Sequence, residues 1–180
     1  MSPPKIYMIL GHGGVGKTTT AAALAMAFAS KGKKTVVITI DPAKRLADAM
    51  GLDDLSNQVT AIPFKTNKCL YGVMLDPKTT WDETVLEQST NKEMAGELLN
   101  NRYYRSLSTR LTGSHEFMAS EKLYQLVQKH DFEVIVVDTP PAQHALEFLK
   151  APSRIHNMLS QSMLQKLSTP GFGFASAATL

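Results

Sequence analysis

The chain has 180 residues, of which 43% are hydrophobic and 19% charged, and a net charge of +3. This composition is typical of one globular domain with a substantial core, and the charge excess is too small to indicate nucleic-acid binding, which we do not expect. No apolar run approaches the roughly 20 residues that span a bilayer, and no secretory signal precedes the first predicted strand. We therefore expect a cytoplasmic protein without stable membrane insertion. Cys69 is the only cysteine, which excludes an intramolecular disulfide and a cysteine-rich metal site within one chain.

A glycine-rich loop lies near the N-terminus, where residues 11–18 read GHGGVGKT and fit the pattern G-x-x-x-x-G-K-S/T. The apolar run before the loop, at 6–10, predicts a strand, and the alanine-rich run after it, at 19–29, predicts a helix. A strand, a glycine loop and a helix N-terminus together place backbone N–H groups around a phosphate.

We expect this loop to bind a nucleotide together with Mg²⁺. Lys17 can reach the β- and γ-phosphates, and the hydroxyl of Thr18 can ligate the metal. The predicted nucleotide contacts are Gly11, His12, Gly13, Gly14, Val15, Gly16, Lys17, Thr18 and Thr19.

The next part of the chain alternates between predicted strands and helices. Residues 34–40 are rich in β-branched side chains and predict a strand buried on both faces. The other elements predicted here are a first helix ending near Gly32, a short helix at 43–50 before Gly51, a weak strand at 59–63 and a strand at 70–75.

The middle of the chain predicts helices, at about 81–100, 102–112 and 115–129. Thr80 and Glu83 resemble a capping box, with Thr80 as N-cap and Glu83 reaching back to it. The buried face predicted for the helix at 115–129 consists of Phe117, Met118, Leu123, Leu126 and Val127. The last predicted elements are a strand at 133–137, helices at 141–149 and 152–167, and a loop or frayed tail at 168–180.

Strands that alternate with helices predict an α/β fold with a mostly parallel sheet flanked by helices. We expect a single P-loop NTPase domain over 1–180, with a helical segment at about 80–130 inserted between strands. Three carboxylates, those of Asp41, Asp76 and Asp138, follow predicted strands, and ligands bind at this edge of such sheets.

Asp138 ends an apolar strand, which is the Walker B pattern of a Mg²⁺ ligand; the alternative is a turn cap. Asp41 either orients the attacking water, caps the helix at 43–50, or does both. Asp76 either belongs to the same site or forms an Asp-Pro turn. The predicted catalytic residues are therefore Lys17, Asp41 and Asp138, and the predicted metal ligands are Thr18 and Asp138.

The segment after Asp138, Thr139-Pro140-Pro141, is stiffened by its prolines and could sense the γ-phosphate through a backbone N–H. His144, one helical turn later, is either a switch residue or an exposed helix residue. The other histidines have no metal-ligand spacing and are predicted to lie on the surface: His115, His130 and His156.

Three motifs in the same order resemble the arsenical-pump ATPases, a family that includes ATPases guiding tail-anchored membrane proteins. They are GHGGVGKTTT at 11–20, TIDPAKRLADA at 39–49 and DTPPAQHALEFL at 138–149. The likeness covers about residues 5–165 and is greatest for the bacterial branch. It implies an ATP-gated homodimer in which residues 13–19 bind phosphates, Asp41 lies in switch I and residues 138–144 form switch II.

The chain departs from the family pattern in three places. His12 stands where the family usually has a lysine that reaches the partner subunit's nucleotide, which puts trans-activation in doubt. The family's later strands and adenine-binding segment have no counterpart, so we expect the domain to be incomplete at its C-terminus. With Cys69 alone, neither an arsenite site nor a zinc clasp is expected.

Three functions remain open on sequence grounds. The first is an ATPase that handles a hydrophobic or membrane-protein client, since residues 155–167 carry an apolar, methionine-containing stripe; this stripe could equally pack on the sheet or on a dimer partner. The second is a nucleotide-dependent dimer switch that regulates a partner, similar to MinD and ParA. The third is a truncated module that binds nucleotide without hydrolysing it.

Overall fold

The computed structural model describes residues 3–41, 44–64, 69–88, 92–100, 104 and 115–140. Several predictions fall outside these residues: the helix at 102–112 apart from Tyr104, both helices after 140, the tail at 168–180, and the roles of His144 and His156. The domain boundaries 1–180 and the incompleteness of the domain at its C-terminus also stay predictions.

Within the described residues, five strands form one sheet: β1 Lys5–Ile9, β2 Thr35–Thr39, β3 Thr60–Ala61, β4 Leu70–Met74 and β5 Val134–Asp138. Their order across the sheet is β1-β5-β2-β4-β3. Every neighbouring pair is parallel except β3 and β4, so the short β3 is an antiparallel edge strand. The predicted α/β fold with a mostly parallel sheet is confirmed.

Five helices lie within the described residues: α1 Lys17–Ser30, α2 Arg45–Met50, α3 Pro77–Gln88, α4 Lys92–Asn100 and α5 His115–Lys129. The predicted ends of the first two helices are confirmed, since Gly32 follows α1 and Gly51 follows α2, both with positive φ. None of these described helices combines the length and the apolar character that a membrane span needs.

The sheet has an apolar layer on each face, because β2 and β5 are buried along their whole length. Val37 and Val136 belong to the cluster that contains the buried alanines of α1. Ile38 and Ile135, one position away, belong to the opposite cluster, which contains Met118 of α5. Alternation along a strand places successive side chains on opposite faces, and here both faces are covered.

The face of α1 that meets the sheet is made of small side chains. Ala21, Ala25 and Ala29 are at most 1% exposed and recur at the helical spacing of four residues. Small side chains let the helix axis approach the strands closely. This packing holds the N-terminus of α1 above the edge of the sheet where β1 ends.

The predicted capping box at Thr80 is wrong. The helix α3 begins at Pro77, and a side-chain oxygen of Asp76 accepts a hydrogen bond from the backbone N–H of Thr79. Asp at the N-cap followed by Pro at the first helical position is a favoured helix start, and it precedes the Thr-x-x-Glu signal in the chain. Thr80 is consequently inside the helix.

Thr80 and Glu83 serve tertiary contacts instead. The hydroxyl of Thr80 donates to Oδ1 of Asn57 at 3.0 Å. Glu83 accepts hydrogen bonds from Nε2 of Gln58 at 2.7 Å and from Nζ of Lys122 at 3.0 Å. These contacts join α3 to α5 and to the loop before β3. Where one helix was predicted at 81–100, the structure has α3 and α4.

Candidate nucleotide site

Three parallel strands end at the same level of the sheet. Ile9 of β1 pairs with Asp138 of β5, which pairs in turn with Thr39 of β2. The segments that follow these strands therefore start side by side. A cleft of about 340 Å³ lies there, lined by Gly13, Gly14, Gly16, Lys17, Thr18, Thr19, Asp41, Arg45, Asp138 and Thr139.

The glycine loop provides space and backbone N–H groups for an anion in this cleft. Gly16 is the N-cap of α1 in a left-handed conformation, with φ 85°, and no side chain of the described residues caps the helix. Backbone N–H groups of the first turn are therefore available to a ligand. A Cβ built on Gly13, Gly14 or Gly16 would meet nothing within 4 Å, so the space beside the loop is open. Open space beside an uncapped helix N-terminus fits a phosphate group.

Lys17 folds back across the loop. Its Nζ donates to the backbone carbonyl of His12 at 2.9 Å, while the side chain lines the cleft. Gly11, His12 and Val15 do not line the cleft, and their predicted nucleotide contacts stay predictions. Gly11 has a packing role of its own, because a Cβ there would lie 2.9 Å from Cγ2 of Val15.

Asp138 is the most buried carboxylate of the cleft, at 2% exposure. Its Oδ2 accepts a hydrogen bond of 3.2 Å from the hydroxyl of Thr39. Burial raises the pKa of Asp138, and hydrogen bonds from Thr18 and Thr39 together with the charge of Lys17 partly oppose that rise. The other oxygen, Oδ1, is buried and has no hydrogen-bond partner among the described residues.

These donors fit Mg²⁺. A buried carboxylate oxygen without a partner is costly unless a ligand or ion satisfies it. Asp138 supplies that oxygen, and Thr18, which lines the same cleft, supplies a hydroxyl. Mg²⁺ takes oxygen ligands and is bound through one or two carboxylates plus substrate phosphates.

Asp41 follows β2 and lines the cleft opposite the loop. Its Oδ2 accepts a hydrogen bond of 3.0 Å from a terminal nitrogen of Arg45, four residues later. The alternative that Asp41 caps the following helix is wrong, because α2 begins at Arg45 with Lys44 in the N-cap position. Asp76 does not line the cleft and instead caps α3.

Two residues at this site, Thr39 and Arg45, were given no individual role from the sequence alone, and Thr139 was predicted only as part of a segment that senses the γ-phosphate. Thr39 bonds to Asp138, Arg45 bonds to Asp41, and the hydroxyl of Thr139 donates to the carbonyl of Ile9 at 2.7 Å. The sequence contained a feature that could have indicated a role for Thr39 and for Arg45. Thr39 is a polar residue at the end of an apolar strand, and Arg45 lies four residues after Asp41, at helical spacing.

Comparison with known proteins agrees with this architecture. The family model for anion-transporting ATPases matches residues 4–174. The chain is 32% identical over 161 residues to ATPase get3 of Aspergillus terreus (strain NIH 2624 / FGSC A1156), covering 88% of this chain and 46% of the relative. It is 31% identical over 157 residues to ATPase ASNA1 homolog 1 of Paramecium tetraurelia, with 87% and 46% covered. It is 32% identical over 172 residues to ATPase GET3C of Arabidopsis thaliana, with 87% and 44% covered.

The chain thus spans about half the length of the curated relatives that it matches. The comparisons do not separate the branches of the family, so the bacterial branch stays a prediction. The family model extends over nearly the whole chain and includes all the residues of the cleft. The chain belongs to the anion-transporting ATPase family.

Proposed function

We propose that this chain binds Mg-ATP in the cleft and hydrolyses it to ADP and phosphate. The observation that carries the proposal is that β1, β5 and β2 end at the same level of the sheet. This register gathers an uncapped helix N-terminus, Lys17, Asp138 and Asp41 around one open cleft. Phosphoryl transfer depends mainly on such positioning and on electrostatic stabilisation.

Each side chain has a distinct part in the proposed reaction. The backbone N–H groups of residues 13–19 and the ammonium of Lys17 bind the phosphates. Thr18 and Asp138 hold Mg²⁺, which supplies charge neutralisation at the phosphate oxygens. Asp41 orients the attacking water. The water oxygen bonds to the terminal phosphorus as the bond to the bridging oxygen breaks, that oxygen leaves with the electron pair on ADP, and a proton is released with phosphate.

A titration with Mg-ATP and Mg-ADP tests the binding step. We expect saturable binding and thermal stabilisation by both nucleotides, and loss of both in Lys17→Ala. Lys31→Ala is the matched control, since Lys31 follows the other end of α1 and is exposed. Absence of binding by the unsubstituted chain would contradict the proposal. Binding without any release of phosphate would support the alternative of a nucleotide-binding module.

We also propose that nucleotide binding is coupled to dimerisation, as the resemblance implies. Three large apolar side chains that are strongly exposed, Ile6, Leu10 and Val15, belong to β1 and the loop beside the cleft. An interface there would bury them and would respond to the bound nucleotide. We expect ATP with Mg²⁺ to raise the fraction of dimer in size-exclusion chromatography with light scattering. Ile6→Asp, in β1 and outside the phosphate-binding loop, should lower that fraction while leaving nucleotide affinity intact.

Handling of a hydrophobic client is the family function that we propose for the dimer. The residues predicted to form the client surface, including Met158 and Met163, lie outside the described part of the chain. Photocrosslinking to a hydrophobic helix peptide tests the proposal, with Met158→Glu and Met163→Glu as the disrupting pair. Unchanged capture by that pair would favour the MinD- and ParA-like switch, for which retention on DNA or lipid vesicles is the direct assay.

A further inference from the structure

Arg45, the first residue of α2, lies in the cleft together with the phosphate-binding loop. One of its terminal nitrogens is 3.0 Å from Oδ2 of Asp41. The Arg45 side chain is 71% exposed and that of Asp41 is 30% exposed. Among the described residues, Arg45 therefore has one ion pair, and most of its side-chain surface is open to a ligand.

The charges that line the cleft favour a second use of this arginine. Among the described lining residues, Lys17 and Arg45 are cationic and Asp41 and Asp138 are anionic, so their formal charges cancel. A triphosphate adds several negative charges to this neutral site, and those charges need cationic partners. Ion pairs between solvent-exposed side chains are weak, so Asp41 does not hold Arg45 firmly. A guanidinium also matches two phosphate oxygens at once, and it keeps its charge at any working pH.

We propose that Arg45 is a phosphate-contacting residue that exchanges partners when ATP binds. Its guanidinium leaves Asp41 and contacts the terminal phosphate, and the same movement frees the Asp41 carboxylate to accept a hydrogen bond from the attacking water. This inference rests on the proposed ATP site. It adds a cation from the same chain that recognises the terminal phosphate, so it makes the site selective for a triphosphate over a diphosphate. No proton moves in the exchange.

The first test compares Arg45→Gln with Lys44→Gln. Both substitutions remove one positive charge at the start of α2, but Lys44 pairs with Asp54 at 3.4 Å and does not line the cleft. We expect Arg45→Gln to weaken Mg-ATP binding about tenfold or more, the effect of losing a charge-assisted contact, and to leave Mg-ADP binding unchanged. Lys44→Gln should preserve both affinities. An equal change for the two nucleotides in Arg45→Gln, or no change, would overturn the proposal.

The second test uses Asp41→Asn to measure whether Asp41 and the terminal phosphate compete for Arg45. Removing the charge of Asp41 releases Arg45, so Mg-ATP should bind more tightly to Asp41→Asn than to the unsubstituted chain. In the double variant with Arg45→Gln, that gain should disappear. A gain that persists without Arg45 would show that the two side chains do not compete, and would overturn the exchange.

Failure of this inference is distinguishable from failure of the proposed function. If the unsubstituted chain binds ATP and Lys17→Ala does not, the site is real, and unaltered ATP selectivity in Arg45→Gln then refutes the arginine alone. If the unsubstituted chain binds neither nucleotide, both proposals fall together. Thermal unfolding of each variant without nucleotide checks the fold, and exposure of Arg45 leads us to expect unchanged unfolding.

Discussion

Thr39 and Asp138 end neighbouring parallel strands, and the hydroxyl of Thr39 donates a hydrogen bond of 3.2 Å to Oδ2 of Asp138. Both residues are almost fully buried, at 1% and 2% exposure. A hydrogen bond to a carboxylate favours its ionised form and restricts its rotation. The contact therefore leaves the other oxygen, Oδ1, as the one without a partner among the described residues.

Thr39→Val should weaken Mg-ATP binding at neutral pH by about tenfold, because a charge-assisted hydrogen bond to the proposed metal ligand is lost. Thr39→Ser keeps a hydroxyl and should restore most of the affinity. Titration calorimetry at several Mg²⁺ concentrations measures the effect. Thr35→Val is the matched control at the other end of β2, where the Thr35 hydroxyl bonds to the carbonyl of Lys33. Equal losses in the two valine variants would argue for a general effect on the strand.

The raised pKa of Asp138 predicts opposite pH effects on binding and on stability. Because burial holds the pKa of Asp138 in the folded chain above its ordinary value of 3.8, protonation favours the folded state. The stabilisation from Asp138 is fully present below 3.8 and is lost as pH rises through the raised pKa. Mg²⁺ needs the ionised carboxylate, so Mg-ATP affinity should fall as pH decreases through that same pKa.

Asp138→Asn separates these two effects. Without nucleotide the variant should unfold at a higher temperature than the unsubstituted chain at neutral pH, since it avoids burying an ionised carboxylate. It should also lose the dependence of ATP affinity on Mg²⁺. A lower unfolding temperature for Asp138→Asn would mean that the ionised carboxylate stabilises the fold, contrary to this assignment.

Asp41→Asn should slow ATP hydrolysis without weakening ATP binding. An amide retains the size of the carboxylate but cannot accept the proton of the attacking water, so the loss falls on turnover, by about a hundredfold or more. Single-turnover phosphate release, measured at saturating ATP beside an independent titration, gives both quantities. Parallel losses of affinity and turnover would refute the water-orienting role.

The ion pair between Lys122 and Glu83 predicts that two glutamate substitutions in α3 lower the stability of the fold by different amounts. The Lys122 side chain is 7% exposed, and its Nζ lies 3.0 Å from Oε2 of Glu83. Glu83→Gln removes the counter-charge of a buried ammonium and should lower the free energy of unfolding by about 3 kcal/mol. The same change one turn later, Glu87→Gln, breaks the exposed pair with Lys129 and should cost at most about 1 kcal/mol. Urea denaturation compares the two, and similar losses would contradict the importance of burial.

Alanine substitutions at two glycines should change the stability of the fold in opposite directions. A Cβ at Gly72 of β4 would lie 2.8 Å from side-chain carbons of both Leu55 and Ile62, which are buried. Gly72→Ala should therefore destabilise the fold by about 1–3 kcal/mol through overpacking. Gly96 of α4 has open space around a Cβ, and Gly96→Ala should stabilise by about 0.5–1 kcal/mol through helix propensity. Urea denaturation tests both predictions. The midpoint of Gly72→Ala should lie below that of the unsubstituted chain, and the midpoint of Gly96→Ala should lie above it.

Local features of the sequence were sufficient for most elements of the fold. The β-branched run at 34–40 predicted β2, and Gly32 and Gly51 marked the ends of α1 and α2, because these signals depend on neighbours within a few residues. The start of α3 was missed because two capping signals lay within eight residues. Asp76 with Pro77 forms the actual cap, and only the packed structure shows that Thr80 is used by Asn57 instead.

The glycine loop and the carboxylates after two apolar strands are properties of the sequence, since residue type and spacing specify them. Strand pairing in the folded chain decides which of these groups lie close together. The pairing places Asp138 between Ile9 and Thr39, although Asp138 lies 99 residues after Thr39 in the chain. That arrangement excludes Asp76 from the cleft and brings in Arg45 and Thr39. Burial of both sheet faces selects the strand order, and burial is a property of the whole folded chain rather than of any short segment.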